Sequence, residues 1–416
     1  MQVERKEEEK MINKQITQFP INYANTFVMG KIAFGWGAHE TVADGCKASG
    51  IKKALIVTTG LNGTGIVEEI KGILNYNGIP TEIYDKVTSN PKDYEVMEGY
   101  KVYMDSHCDG VVSIGGGSAH DCAKGIRAIA ANKGIYVCDM AALIDPPWLQ
   151  EMLKYKPTTI PQITVNTTAG TGAESTGGAA ITNTKIKAKQ LIIVPGLAPA
   201  LAIIDPLLVR LQPQNIAAQT GLDAFAHAFE VYIARVKTPH SAFLSLGAIK
   251  LIAENLREFS YNRMNHQACE NICWASSLAA VGLCMGGGVG IVHGLGHGIS
   301  VLRGIHHGLA NAVIAVPMER YNQNECPDKF ADMAAAMGVD TRGMTKMQAS
   351  DKWFDEVERL LKDLNIQTGN LNKQFGMTKE DCAHIIKFQY SNDFAAEGNP
   401  REYKYEECLS LFESIL

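Results

Sequence analysis

The chain has 416 residues, of which 46% are hydrophobic and 20% charged, with a formal net charge of -5. That length allows two or three domains of ordinary globular composition, and the slightly acidic balance excludes nucleic acid or an anionic membrane surface as the partner that charge alone would attract. The start of the chain, Glu4-Arg5-Lys6-Glu7-Glu8-Glu9-Lys10, does not read as a secretory leader, so residues 1–24 are expected to be a solvated extension. The 10 cysteines contain no CxxC pair, and the expectation is reduced thiols in the cytoplasm.

In chain order, residues 53–58 read as a buried strand, followed by Gly60, Gly63 and Gly65 and a helix to about residue 77. Residues 81–85 read as a strand. Asn90-Pro91 interrupts the chain before a helix over about 93–106, and residues 110–114 form a third apolar strand. Gly115-Gly116-Gly117-Ser118 then opens a helix to about residue 132. This alternation predicts a Rossmann-like α/β domain with a parallel sheet over residues 25–205. From Pro213 onward the patterns are helical: 214–235, 239–257, 267–283, 327–337, 350–363 and 378–390. They predict an all-helical domain over residues 206–416, with the boundary at Asp205-Pro206. Two apolar stretches are no membrane spans: 191–204 is short and holds Pro195 and Pro199, and 275–292, rich in Gly, Ala and Ser, reads as a buried core helix.

Three glycines and a serine between a strand and a helix let backbone approach a phosphate, with the helix N-terminus supplying free N–H groups. Ser118 and Asp121 have capping-box spacing. An ordinary tight turn is the bland alternative. GxGxxG after the first strand is absent, so this is no standard Rossmann fingerprint. A second polar loop, residues 166–174, carries Thr167, Thr168 and Thr171 between glycines, and Lys189 is a nearby candidate cation.

Asp223 and His227 are i and i+4 in an apolar helix, and so are His293 and His297; His306 and His307 follow. A carboxylate and an imidazole buried together could simply pair. Four of the 11 histidines within 15 positions of largely apolar sequence are explained by one cause, a divalent metal, with Fe(II) and Zn(II) not separated by such ligands.

Together these motifs resemble the iron-containing (group III) alcohol dehydrogenase family: Gly115-Gly116-Gly117-Ser118-x-x-Asp121, Thr167-Thr168-Ala169-Gly170-Thr171, Thr220-Gly221-Leu222-Asp223-x-x-x-His227, His293-x-x-x-His297 and His307-Gly308-x-Ala310-Asn311. The resemblance runs from about residue 25 to the end, with the methanol and 1,3-propanediol dehydrogenase-like branch nearest. It implies the architecture shared with dehydroquinate synthase and a small primary alcohol or aldehyde as substrate. Asp223, His227, His293 and His307 are implied as ligands of Fe2+ or Zn2+, and His297 as a non-ligand histidine beside metal and nicotinamide. It further implies NAD or NADP on Gly116, Gly117, Ser118 and Asp121, with Thr167, Thr168 and Thr171 in the same cleft, Lys189 near the nicotinamide ribose and Asn90 on the adenosine side. Thr59 stands where the family commonly has an Asp that repels a 2′-phosphate, which opens the site to NADP and points to the methanol dehydrogenases that hold NADP(H) tightly. Cys284, Gly178 and Gly286-Gly287-Gly288 replace bulkier residues near the substrate. Relatives of this kind are dimers or larger, so a homo-oligomer is expected. The competing readings are a dehydroquinate synthase-like lyase, which would need a Lys/Arg cluster where only Arg303 stands, and a non-catalytic nicotinamide-binding protein, which would leave buried charged groups without use.

Overall fold

The computed structural model describes residues 29–416 except 60, 142–153, 286–287, 391–393 and 403. The expected N-terminal extension and the glycines Gly60, Gly286 and Gly287 therefore lie outside the described residues.

Six strands form one parallel sheet in the order β1-β8-β5-β4-β2-β3: β1 (Lys31–Phe34), β2 (Ala54–Thr58), β3 (Thr81–Tyr84), β4 (Gly110–Gly115), β5 (Gln162–Asn166) and β8 (Leu201–Ile204). Parallel strands need crossovers, supplied by α1 (Val42–Ala48), α2 (Ile66–Tyr76), α3 (Asp93–Asp105) and α4 (Gly117–Ala131). Strand alternation sends side chains to two cores. Leu55 and Val57 of β2 pack with Val96, Cys122 and Ile126 of α3 and α4. Ala54 and Ile56 face the other way, onto Val42, Cys46 and Ile70 of α1 and α2. A separate antiparallel hairpin, β6 (Gly178–Asn183) and β7 (Ala188–Ile193), turns through Lys187 at φ 53°.

After Ile204 no strand occurs among the described residues. Asp205 caps a single helical turn, Pro206–Val209, accepting from Leu207 N at 2.9 Å. Helices α5 (Gln214–Ile233), α6 (Pro239–Tyr261), α7 (His266–Cys284), α8 (Ile291–Arg303), α9 (His307–Asn322), α10 (Pro327–Ala336), α11 (Lys346–Asp363), α12 (Leu371–Phe375), α13 (Lys379–Phe388), α14 (Phe394–Gly398) and α15 (Tyr405–Glu413) follow. Their shared core is anchored by Trp353, which meets Phe229 and Phe330 edge-on at ring-centroid separations of 5.4 and 5.0 Å. Truncating such a buried aromatic costs about 3–5 kcal/mol.

Three sequence expectations are corrected, those for the glycine loop, the stretch 275–292 and the Ser118 cap, while residues 191–204, read as no membrane span, gain their structure. The glycine loop follows the fourth strand in chain order, because β1 precedes the strand taken as first. Residues 191–204 hold the end of β7, a turn with Gly196 at φ 86°, and β8. The stretch 275–292 is two helices: α7 stops at Cys284 and α8 starts at Ile291, because the glycines between them disfavour helix. Ser118 and Asp121 form no capping box. Gly116 is the N-cap of α4, Ser118 lies inside the helix, and Asp121 turns to β6, accepting from Ala180 N at 3.0 Å. No helix among the described residues is long and apolar enough to cross a membrane.

Candidate active site

Helix α5 is buried almost throughout its length from Ala217 onward. One face of it carries Asp223 and His227, a turn apart, and it packs against α6, α7 and α9. His293 comes from the first turn of α8, and His307 is the first residue of α9. The start of α9 sits against Asp223 because residue 308 is glycine: a Cβ there would stand 2.0 Å from the Gln219 carbonyl oxygen and 3.0 Å from Asp223 Cβ. His306, outside the implied ligand set, is the N-cap of α9, its ring Nδ1 accepting from Gly308 N at 3.2 Å.

Asp223, His293 and His307 each offer a ligand atom within 4.8 Å of the other two. Asp223 Oδ1 lies 3.7 Å from His293 Nε2 and 3.5 Å from His307 Nε2. His227 stands alongside, its ring centroid 4.2 Å from that of His293, without joining that group of three. His297 stacks on His307 at 4.8 Å. Asp223 is 1% exposed and the His307 side chain 15%, so the cluster opens on the His307 side. Asp223 Oδ2, His293 Nε2 and His307 Nδ1 are buried without a hydrogen-bond partner. Unsatisfied buried polar atoms are costly, and a divalent cation held between these three side chains would meet that cost at His293 Nε2: the donor set, one carboxylate and imidazoles, is of metal-ligating type.

The electrostatics are those of ligands crowded together. Burial opposes ionisation of Asp223, yet the imidazoles around it, His307 first, hold its carboxyl well below the usual carboxylate range. Burial and the neighbouring His293 push His227 down to about 3. His307 is also held neutral, by burial and then by the Lys189 cation. His293 goes the other way, to about 9: burial would lower it, but the Glu230 and Asp223 carboxylates prevail.

Two residues that the sequence reading did not assign complete the cluster. Asn311, a turn after His307, donates its amide to Asp223 Oδ1 at 2.9 Å. Glu230, a turn after His227, receives the His293 Nδ1 side of the ring. A buried carboxylate in an apolar helix, i+3 from a candidate ligand, was the available signal for Glu230.

The second half of the site lies at the C-terminal ends of β2 and β4. The chain goes outward from β2 to β3 and returns to β4 on the other side of β2, which makes a topological switch point, the usual crevice for ligands in open parallel sheets. Thr59 follows β2, and its carbonyl oxygen would lie 3.7 Å from a Cβ on Gly115. The threonine loop folds over the glycine loop: Thr167 N donates to Gly115 O at 2.9 Å. The space beside Gly116 is filled by Thr168 Oγ1, 2.7 Å from where a Cβ would stand, and that beside Gly117 by Thr171 at 2.8 Å. Side chains at either glycine are thereby excluded, and α4 starts without a side-chain cap, leaving its first N–H groups to a ligand. Asn90, at φ 54°, donates its backbone N–H to Ser118 Oγ at 3.2 Å.

The two halves are tied across the cleft. Asn90 Nδ2 donates to Ser300 O of α8 at 3.4 Å. Gln389, just past α13, clasps the backbone of Lys189 on β7, accepting from its N–H at 2.7 Å and donating to its carbonyl at 3.0 Å. Lys189 is thereby held on the His307 side. Asp121 is spent on Ala180 N and on Lys124 Nζ at 3.2 Å. Gly178 O accepts from the same Lys124 at 2.7 Å, and Cys284 ends α7 half-buried. Arg303, the cation that follows the histidine motif on α8, is paired with Asp381.

Residues 30–206 match the iron-containing alcohol dehydrogenase family, and residues 217–416 match the C-terminal region of the Fe-containing alcohol dehydrogenase family. The chain is 35% identical to a methanol:N,N-dimethyl-4-nitrosoaniline oxidoreductase of Rhodococcus erythropolis, over 97% of this chain and 98% of that one. It is 36% identical to a 1,3-propanediol dehydrogenase of Citrobacter freundii, over 91% and 95%. A crystal structure of a 1,3-propanediol oxidoreductase superposes with a TM-score of 0.86 at 34% identity, over 95% of this chain and 100% of that one.

Proposed function

This chain belongs to the iron-containing alcohol dehydrogenase family, and we propose that it transfers a hydride between a small primary alcohol or aldehyde and NAD or NADP, with Asp223, His227, His293 and His307 holding one divalent iron. The observation that carries the reading is the convergence of one buried carboxylate and two imidazoles, Asp223, His293 and His307, with Asp223 Oδ1 3.7 Å from His293 Nε2 and 3.5 Å from His307 Nε2, beside a glycine loop at a sheet switch point. Relatives named for methanol, 1,3-propanediol and lactaldehyde support a small alcohol or aldehyde as substrate class, and one is named as NAD-dependent.

When bound, the metal supplies a Lewis acid for the substrate oxygen and the nicotinamide supplies the hydride carrier. The protein's part is to bind, orient and move protons. Gly116, Gly117 and Ser118 offer backbone N–H groups and the start of α4 to a pyrophosphate. Thr59, Asn90, Thr167, Thr168 and Thr171 line that cleft, Lys189 brings a positive charge toward the ribose end, and Asp121 braces the helix behind. His297, stacked on His307, holds and passes the alcohol proton toward solvent. The metal half comprises residues 206–416 and the cofactor half residues 25–205. The ten cysteines are free, in keeping with a cytoplasmic location. β1 lies at the sheet edge beside exposed Trp36 and Trp274, in keeping with a homo-oligomer.

The test is to denature the purified protein and identify the metal and nucleotide released, then assay short alcohols and aldehydes with both cofactors. About one iron per chain is expected, lost together with turnover in His293→Ala. Full activity in metal-free His293→Ala would refute the reading.

A further inference from the structure

Beyond the ligands themselves, Glu230 has contacts that a mere core residue would lack. It is 1% exposed on α5 and faces the first turn of α8. Oε1 accepts from Val292 N at 2.8 Å and from His293 N at 3.3 Å; Oε2 accepts from His293 N at 3.3 Å and meets His293 Nδ1. One carboxylate thus closes the N-terminal turn of a thirteen-residue helix and touches the ring of a residue within that turn. With both oxygens serving as acceptors, the facing ring nitrogen is the donor, so the imidazole proton sits on Nδ1. In the neutral ring, the form that can ligate a metal, the lone pair is then on Nε2, the buried atom without a partner that lies toward Asp223.

We infer that Glu230 is a positioning residue for metal binding: it fixes the position of α8 and the tautomer of His293 together, so that Nε2 is presented as a ligand. A carboxylate behind a ligating histidine commonly sets ring orientation and tautomer, and a carboxylate at a helix N-terminus is favourably placed. The inference rests on the metal reading above. A natural control lies next door. Asn399 Oδ1 accepts from Ile291 N at 3.2 Å, in the same helical turn, and is held by Asn322; its side chain caps α8 without a contact to the His293 ring.

Glu230→Gln keeps an oxygen for Val292 N but turns an amide N–H toward His293 Nδ1. The ring must then accept there, placing its proton on Nε2, where it blocks coordination. Full-length wild type, Glu230→Gln and Asn399→Ala are stripped of metal and titrated with Fe(II) under anaerobic conditions against a chromophoric chelator. Thermal unfolding of each metal-free protein is followed alongside. Affinity about 10–100-fold weaker in Glu230→Gln, with Asn399→Ala near wild type and similar metal-free melting for the two variants, is the expected result. Unchanged affinity in Glu230→Gln overturns the inference, and equal losses in both variants reduce Glu230 to a helix cap and overturn the tautomer role. Should Glu230→Gln fail to fold, Glu230→Asp, which keeps acceptors but withdraws them by one methylene, must bind Fe(II) more weakly than Asn399→Ala; equal affinity overturns the inference. Wild type that takes up no Fe(II) removes the metal reading itself, an outcome distinct from a wild type that binds and a variant that binds equally well.

Discussion

The Asn311 amide donates to Asp223 Oδ1 at 2.9 Å, linking α9 to α5 at the point where His307 also approaches that carboxylate. The bond stabilises the negative charge of a fully buried group before any metal arrives. Asn311→Asp replaces a donor with a second carboxylate. The metal-free protein should lose about 1–3 kcal/mol in chemical denaturation, and iron or zinc should restore more melting temperature to the variant than to wild type, because the cation offsets the repulsion. Equal metal-induced shifts would contradict this.

His297 stacks on His307 but is absent from the group of converging ligand atoms. His297→Ala should keep its metal and lose turnover by about 10²–10⁴-fold, the usual range for a proton-transferring side chain. Elemental analysis beside steady-state kinetics separates this from His293→Ala, which should lose both. Metal loss in His297→Ala would make it a ligand or its support.

A methyl group on Gly116 would stand 2.7 Å from Thr168 Oγ1. Gly116→Ala should therefore force the threonine loop away and weaken nucleotide binding, at a cost of about 1–3 kcal/mol, readable by fluorescence titration with NADH and NADPH. Thr168→Ala in the same chain should recover part of the loss. Failure of the second substitution to help would place the defect elsewhere in the loop.

Glu174 is buried in the threonine loop, and burial pushes its carboxyl up to about 7. A folded pKa above the unfolded value of about 4.5 means that the folded state holds the proton more tightly. Stability from this group is greatest below about pH 4.5 and falls as pH rises toward 7, by up to about 3 kcal/mol. Glu174→Gln should flatten the pH dependence of melting across that window and raise the melting temperature at pH 8. A variant that follows the wild-type pH curve would rule this out.

The parts legible in sequence were those with strong periodicity or a rare concentration of residue types. The β2, β3 and β4 segments and most helices after Pro213 stand close to where periodicity put them. The strands β1 and β8, four residues each, are too short for a periodic signal, and the prolines around β8 obscured it. The β6–β7 hairpin was hidden because its tip, Lys185-Ile186-Lys187, reads as a solvated charged run. At the site, motif resemblance led to Asp223, His293 and His307, which the fold brings together across 84 residues of chain, from 223 to 307. The spacing of Glu230 from His227 and the place of Asn311 in the His307 motif were visible, but which atoms they face, His293 Nδ1 and Asp223 Oδ1, depends on side-chain direction across helices, which is not written in spacing. The capping expectation for Ser118 failed because the helix begins two residues earlier, at Gly117 with Gly116 as its N-cap, and two residues rotate a helix by about 200°.

The two clasps across the cleft, Gln389 on the Lys189 backbone and Asn90 on the Ser300 carbonyl, are formed by neutral amides. Dissolved ions screen charges and leave such bonds largely alone, in contrast to exposed pairs such as Lys86–Glu98. The spacing between the phosphate end of the cleft and the histidines is therefore set by contacts indifferent to ionic strength. Salt would act on this enzyme chiefly by shielding its charged cofactor on approach, altering how fast the cofactor arrives while leaving the seat it arrives at unchanged.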